Sequence, residues 1–322
     1  MFLTKAKFGI VLPVIAGTSA WDYGMNFERM REVTKICEGL GLDSIWVPDH
    51  LMSGQSNETF EAWTILAGLS QVTGSMRLGT LVTCPTHRYP AVLAKLAATL
   101  DVMSNGRVDL GIGAGWNRKE QSAYNLAWEE VPKERITRLI ETIKILRGMW
   151  TNDSFTFAGR YYSVKDAVCL PKPVQKPSPP ILIGGKGEQL LLKAVAKYAD
   201  GWNIDEVPPD AYANKLEVIR NHCKVAGTSY DRIEKTLETY LLISDKPEHQ
   251  QRLLDWTNRG GKQVATLDEI KRDYVMGSVE EVTEKFAEYV NVGVQRFLIY
   301  FMDFPTLNSI LPLAQEVIPS LG

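Results

Sequence analysis

Apolar positions along this chain switch repeatedly between two spacings. The run 78–82 is β-branched and apolar, so it can lie buried in a parallel sheet, and further strands are read at 8–12, 43–47, 107–112, 180–183, 201–204, within 233–243 and at 296–301. Each precedes a stretch with helical spacing, at 25–40, 62–73, 90–104, 134–150, 188–198, 210–225, 278–292 and 307–318. The third unit shows how the boundaries are set. Pro90 suits a first helical turn, where its missing N–H costs nothing, and Val92, Leu93, Leu96, Ala97 and Leu100 form the apolar stripe. Asn105-Gly106 then stops the helix. Ser278-Val279-Glu280-Glu281 is likewise a capping-box sequence that opens the seventh helix.

Eight strand-then-helix units predict an α/β chain folded as a (β/α)8 TIM barrel, one domain over 1–322, with insertions after strands 4 and 7. In the first insertion, 118–132 is polar and irregular, and 155–162 alternates and turns at Gly159, the pattern of a small hairpin outside the barrel. The Pro-rich stretch 172–180 reads as a crossing loop, because strand periodicity resumes at once. The second insertion, 245–275, is polar and irregularly helical. A doubly wound open sheet would need fewer strands, and no GxGxxG follows the first strand to mark a dinucleotide site.

Composition narrows the classes of function. The chain has 322 residues, 45% hydrophobic and 23% charged, with a formal charge of −2, so it carries no electrostatic footprint for nucleic acid or an anionic membrane. Cys37, Cys84, Cys169 and Cys223 are far apart and form no CxxC pair, which favours reduced thiols over a disulfide scaffold. Lys5 and Lys7 precede an apolar run, but Pro13 and Gly17 interrupt it, so it reads as a first buried strand and not a signal peptide. A cytoplasmic protein is expected.

Parallel strands joined by helices place every C-terminal strand end on one rim. The unusual loops 83–88 and 113–117 therefore face the same place, where a ligand is expected. Asp49-His50 ends strand two on that rim, where a His is able to serve as acid or base and a neighbouring Asp can orient it or bind a ligand; the alternative is a pair that caps a turn. Gly184-Gly185-Lys186-Gly187 joins strand five to its helix and offers backbone N–H groups, a positive helix end and a cation to a phosphate, without Walker spacing. Gly113, Ala114, Gly115, Trp116 and Asn117 either bring backbone close to a flat ring or form a plain βα turn. Arg88 either holds an anion or pairs with an acid, and Glu120 is either an acid of the site or a surface charge. His50 and His87 lack metal-ligand spacing, so no metal is expected. There is no GxSxG nucleophile elbow.

In order, SIWVPDHL, LGTLVTCPTHRYPAVLAKLAATLDVMSNGRVDLGIGAGWN, GRYYSVKDAVCLPKPVQKPSPPILIGGKGE and YADGWN resemble the bacterial-luciferase-like flavin oxidoreductases, and most closely the branch that uses the deazaflavin coenzyme F420. The resemblance implies a barrel that holds a deazaflavin or flavin ring over its C-terminal rim, with a non-prolyl cis peptide at Leu81–Val82. It assigns ring contacts to Asp49, Leu81, Val82, Cys84 and the Gly113, Gly115, Trp116, Asn117 loop, and phosphate contacts to Gly184, Gly185, Lys186 and Gly187. It also implies a homodimer and a small-molecule substrate. The sugar-phosphate dehydrogenases of this branch carry a Glu acid where this chain has Trp116, which argues for another substrate. His50 is then the leading acid/base candidate and Glu120 the second, with Trp46, Trp116 and Trp202 expected in the pocket wall. The expected activity is hydride transfer between F420 and a small organic substrate. The alternatives are an FMN-dependent monooxygenase on the same barrel and a non-catalytic flavin-binding protein.

Overall fold

The computed structural model describes residues 6–20, 26–54, 56–259 and 266–321. Its strands are β1 (Lys7–Val11), β2 (Ser44–Val47), β3 (Arg77–Thr80), β4 (Val108–Ile112), β5 (Phe155–Ala158), β6 (Ser163–Ala167), β7 (Ile181–Gly184), β8 (Gly201–Asp205), β9 (Glu234–Ile243), β10 (Val275–Gly277) and β11 (Arg296–Phe301). The ring runs β9-β11-β1-β2-β3-β4-β7-β8, and the β8–β9 pairing closes it. All its pairings are parallel, as Gly9↔Ser44, Leu110↔Ile181 and Trp202↔Lys235 show at three points of the ring. The expected (β/α)8 barrel is therefore present, with long insertions after its fourth and seventh strands, β4 and β9.

The helices fall close to the apolar stripes that predict them. Helix Pro90–Met103 starts on its proline and buries Leu93, Ala94, Ala97 and Leu100 against the sheet. Helix Val279–Val292 opens on the reciprocal Ser278–Glu281 capping box and ends on Gly293 in the left-handed region, φ 115°. The first helix spans Phe27–Gly39 and is capped by the Asn26 side chain; Met25, the expected first residue, lies outside the described residues. Among the described residues no helix is long and apolar enough to cross a membrane.

Four boundaries differ from the sequence expectation. The hairpin lies outside the barrel, but its second strand begins at Ser163, because residues 159–162 are the turn. The Glu141 carboxylate organises that turn by accepting from the N–H groups of Arg160 (2.7 Å), Tyr161 (3.0 Å) and Tyr162 (3.0 Å). The helix after β7 begins at Leu191 instead of 188, because Gly185 (φ 130°) keeps the glycine run out of helical geometry. The second insertion holds helices Pro247–Asn258 and Leu267–Asp273 and ends in β10, which pairs with the C-terminal part of β9 (Val275↔Leu241). β3 stops at Thr80, and Leu81–Val82 is a cis peptide outside the ladder.

The barrel interior is stacked in layers. At the bottom, Arg296 pairs with Asp109 (2.9 Å), Asp43 (3.3 Å) and Glu234 (3.1 Å), and Arg77 also clasps Asp109. Above it Val11, Trp46, Leu182 and Leu298 fill the lumen. Trp46 fits only because Gly79 faces it: a Cβ there would stand 2.3 Å from the indole. Leu81 and Tyr300 close this layer from above and form the floor of an open cavity.

Candidate active site

The cavity sits on the C-terminal rim and has a volume of about 630 Å³. That is the size class of a pocket that buries a cofactor-sized ligand. Its floor is the Leu81–Val82 bulge. After the bulge the chain rejoins the sheet: the Gly111 carbonyl accepts from Thr83 N–H (2.9 Å) and Thr80 Oγ1 (2.8 Å), and Thr83 O accepts from Gly113 N–H (3.0 Å). Side chains at Gly113 or Gly184 would collide with Val82, with Cβ positions 2.8 and 3.1 Å from its methyls. These glycines therefore keep the surface beside the bulge flat. Gly115 adopts φ 78°, which a side chain would resist, and lies against the Cys84 thiol.

One wall carries the residues singled out by sequence. Asp49 is buried, and Arg88 brackets it with Nη1–Oδ2 at 2.7 Å and Nη2–Oδ1 at 3.1 Å. Thr83 Oγ1 (2.7 Å) and Trp63 Nε1 (3.3 Å) donate to the same Oδ2. Arg88 thus pairs with an acid, and also with Glu61. Burial by itself would raise the Asp49 carboxyl, but His87 and Arg88 outweigh it and hold it at about 2. Asp49 therefore acts as an internal anchor, with both oxygens engaged by protein.

Glu120 is also no surface charge; it is buried on the short helix Arg118–Ala123. Asn117 caps that helix, its Oδ1 accepting from Glu120 N–H at 3.2 Å. Glu120 Oε1 accepts from the N–H groups of Leu51 and Met52, and Oε2 faces His50 Nδ1 at 3.0 Å. Burial opposes its ionisation, yet His50, His87 and the Met52 N–H reverse the effect and leave the carboxyl well below the usual range. The His50 ring stands edge-on to Trp116 at 5.5 Å between centroids, and Trp116, 72% exposed, roofs the site. Cys84 lines the cavity near Thr86 (3.1 Å) and Gln121 (3.5 Å), and burial pushes its thiol up.

Across the cavity lies the glycine run. Gly184, Gly185, Lys186 and Gly187 all line it, and the Lys186 ammonium is 64% exposed, 3.9 Å from Asp205. Asp49, His50, Leu81, Val82, Cys84, His87, Glu120, the 113–117 loop and the 184–187 run thus line one cavity, whereas Arg88 reaches it only through Asp49. Two tryptophans do not line it: Trp46 lies a layer below the floor, and Trp202 is buried behind the wall, donating to Gly185 O at 2.9 Å.

Sequence reasoning missed the far wall. Asn203 and Asp205 on β8, Glu238 and Tyr240 on β9 and Tyr300 on β11 all line the cavity. Asn203 Nδ2 donates to Glu238 Oε2 at 3.1 Å, and Tyr240 stacks on Tyr300 at 5.0 Å. Burial and the neighbouring acids Glu206 and Asp205 push Glu238 up to about 8; burial and Asp205 push Glu206 up to about 7. The alternation Thr236, Glu238, Tyr240, which places all three on one face of the strand, was the available signal.

A parallel barrel with a cavity at the C-terminal rim, walled by paired acids and histidines, is the plan of a barrel enzyme. Comparison narrows this to a family. The chain belongs to the luciferase-like monooxygenase family, whose model matches residues 6–296. It is similar to an F420-dependent glucose-6-phosphate dehydrogenase of Segniliparus rotundus, 33% identical over 335 residues covering 96% of this chain and 98% of that protein. An F420-dependent hydroxymycolic acid dehydrogenase of Mycobacterium tuberculosis is 29% identical over 271 residues, covering 83% of this chain and 74% of that protein. In fold it matches an F420-dependent secondary alcohol dehydrogenase solved with an F420-acetone adduct (TM-score 0.84, 22% identity, 99% of this chain and 100% of that chain).

Proposed function

We propose that this chain is an F420-dependent oxidoreductase acting on a small organic substrate. The observation that carries the reading is its likeness, along 96% of its length, to a dehydrogenase that uses F420. The cavity fits such a group: its volume, its floor at Leu81–Val82 and the cradle at Gly113 and Gly184, which a Cβ would fill, suit a flat ring. Leu81, Val82, Cys84, Gly113, Gly115, Trp116 and Asn117 would hold the ring. Gly184, Gly185, Lys186 and Gly187 would hold the phosphate. When bound, F420 supplies the hydride exchange.

The chain's own part is geometry and the proton. Glu120 accepts from His50 Nδ1 and so leaves Nε2 as the nitrogen that exchanges a proton at the cavity wall. Asp49, neutralised by Arg88, keeps the β2 terminus in place. Trp116 over the cavity, in place of an acid, supports a substrate other than a sugar phosphate. The reading extends to one domain over 1–322 and to a homodimer. Supporting the dimer, Val92, Leu96, Val102 and Met103 expose an apolar face on helix Pro90–Met103, a site for a second copy; sedimentation would test it.

An anaerobic fluorescence titration with F420 and, separately, FMN tests the cofactor. Tight F420 binding with weak FMN binding is expected. Preference for FMN, with oxygen consumption once it is reduced, would move the chain to the monooxygenase reading; stoichiometric binding without turnover would mark a binding protein. For Lys186→Ala, F420 affinity should fall several-fold and lose its salt dependence. Unchanged affinity at low salt would remove Lys186 from the phosphate site.

A further inference from the structure

His87 lies buried on the wall that carries Asp49 and Glu120. His87 follows the turn Cys84–His87, held by His87 N–H to Cys84 O at 3.1 Å, and its side chain is 1% exposed. The ring lies between two carboxylates, Nδ1 being 4.0 Å from Asp49 Oδ1 and Nε2 3.5 Å from Glu120 Oε2. Among the described residues neither nitrogen has a hydrogen-bond partner. The charges around it are Asp49, Glu120, Arg88 and, through Arg88, Glu61, with the His50 imidazole and the Cys84 thiol alongside. Arg88 already neutralises Asp49. Without a cation at His87, Glu120 would be a buried anion whose nearest positive charge could come only from His50.

We propose that His87 is a positioning residue, an imidazolium wedged between Asp49 and Glu120 that satisfies the charge of Glu120 and so keeps His50 able to release its proton. This rests on the reading of His50 as the proton-exchanging group. Two carboxylates flanking a buried imidazole favour its charged form even against burial, and His87 is pushed up to about 9. The cation at His87 then opposes a second cation at His50. Glu120 can orient His50 through Nδ1 without drawing the proton onto it permanently. A neutral His87 would leave the full carboxylate charge acting on His50 and would make that group a poorer acid.

The chain has four histidines, so imidazole nitrogen NMR of the cofactor-free protein resolves the question, with each signal assigned by single His→Gln variants. In the wild type His87 should show both ring nitrogens protonated at pH 7; a neutral tautomer there overturns the proposal without any variant. In His87→Gln the midpoint of His50 should rise by about one pH unit, and His87→Lys should bring it back. The limb of the kcat profile set by His50 should move with it while KM for the cofactor stays. An unmoved His50 midpoint in folded His87→Gln, with His50→Gln inactive, overturns the role of His87 alone. Wild-type turnover in His50→Gln overturns the reading of His50 on which it rests.

Discussion

On the β2–β4 wall Asp49 and Glu120 stand among Arg88, His87 and His50, whereas on the β8–β9 wall Asp205, Glu206 and Glu238 stand beside Asn203 and two tyrosines. Asp49 is held at about 2 and Glu120 lower than usual, but Glu206 and Glu238 rise to about 7 and about 8. Burial pushes all of them in the same direction; the counter-ions decide the outcome. Among the described residues the cation that pairs with an acid of the far wall is Lys186, which is solvent-facing and 3.9 Å from Asp205. One wall is therefore a fixed lattice of charge that can aim a histidine, and the other holds protons near neutral pH. A site that must exchange a proton beside a hydride acceptor has both kinds of acid within one cavity.

The largest expected effect breaks the charged wall at its working end. His50→Gln keeps a donor toward Glu120 but cannot exchange a proton, so turnover should fall by about 10²–10⁴ while F420 still binds. Single-turnover rates with saturating cofactor measure this, and wild-type rates would place the proton elsewhere. Next comes the anchor. Arg88→Met removes the cation that brackets Asp49, leaving a buried anion without its main partner. A loss of about 3–5 kcal/mol in unfolding free energy at pH 7 is expected. The sign with pH is specific. In the wild type the depressed Asp49 loses its stabilising contribution as acid approaches about 2. In the variant Asp49 loses the part of that depression due to Arg88 and protonates at a higher pH than in the wild type, so the two stabilities should converge toward low pH. A gap that stays constant would mean that Arg88 acts through packing.

The contrast between the walls also explains what could be read from sequence. The charged wall was legible because its residues sit in loops that break the strand pattern: Pro48-Asp49-His50, Thr83–Arg88 and Gly113–Asn117 stand out from the apolar runs before them. The fold was legible for the same reason, since each strand is a compact apolar run with its helix behind it. Glu238 was hidden inside the stretch 233–243, read only as containing a strand, and its facing partner Asn203, from another strand, shows which way it points. Trp46 and Trp202 were placed in the pocket wall by the resemblance, not by any pattern along their strands. Their depth depends on Gly79, which admits the Trp46 indole into the lumen, and on the carbonyl of Gly185, which ties Trp202 behind the wall. Pairing across a barrel, unlike position along it, is set by tertiary contacts that no single strand encodes.

The last test concerns the uncharged wall. With Glu238 raised to about 8, the folded cofactor-free protein retains a proton that the unfolded chain releases near the ordinary carboxylate value. Between those limits the native state binds more protons, so this group makes stability decline as pH rises, and the decline ends once the folded carboxyl also ionises. Glu238→Gln keeps the acceptor and donor geometry toward Asn203 but removes the titration. Urea midpoints of variant and wild type should therefore coincide near pH 4, where the acid is protonated in both states, and separate progressively toward pH 8 with the variant the more stable. Glu206, at about 7, should leave a shallower slope of the same sign in the variant. Parallel curves would show that Glu238 ionises as an exposed acid does, and the difference between the two walls would then reduce to the counter-ions of Asp49 and Glu120 alone.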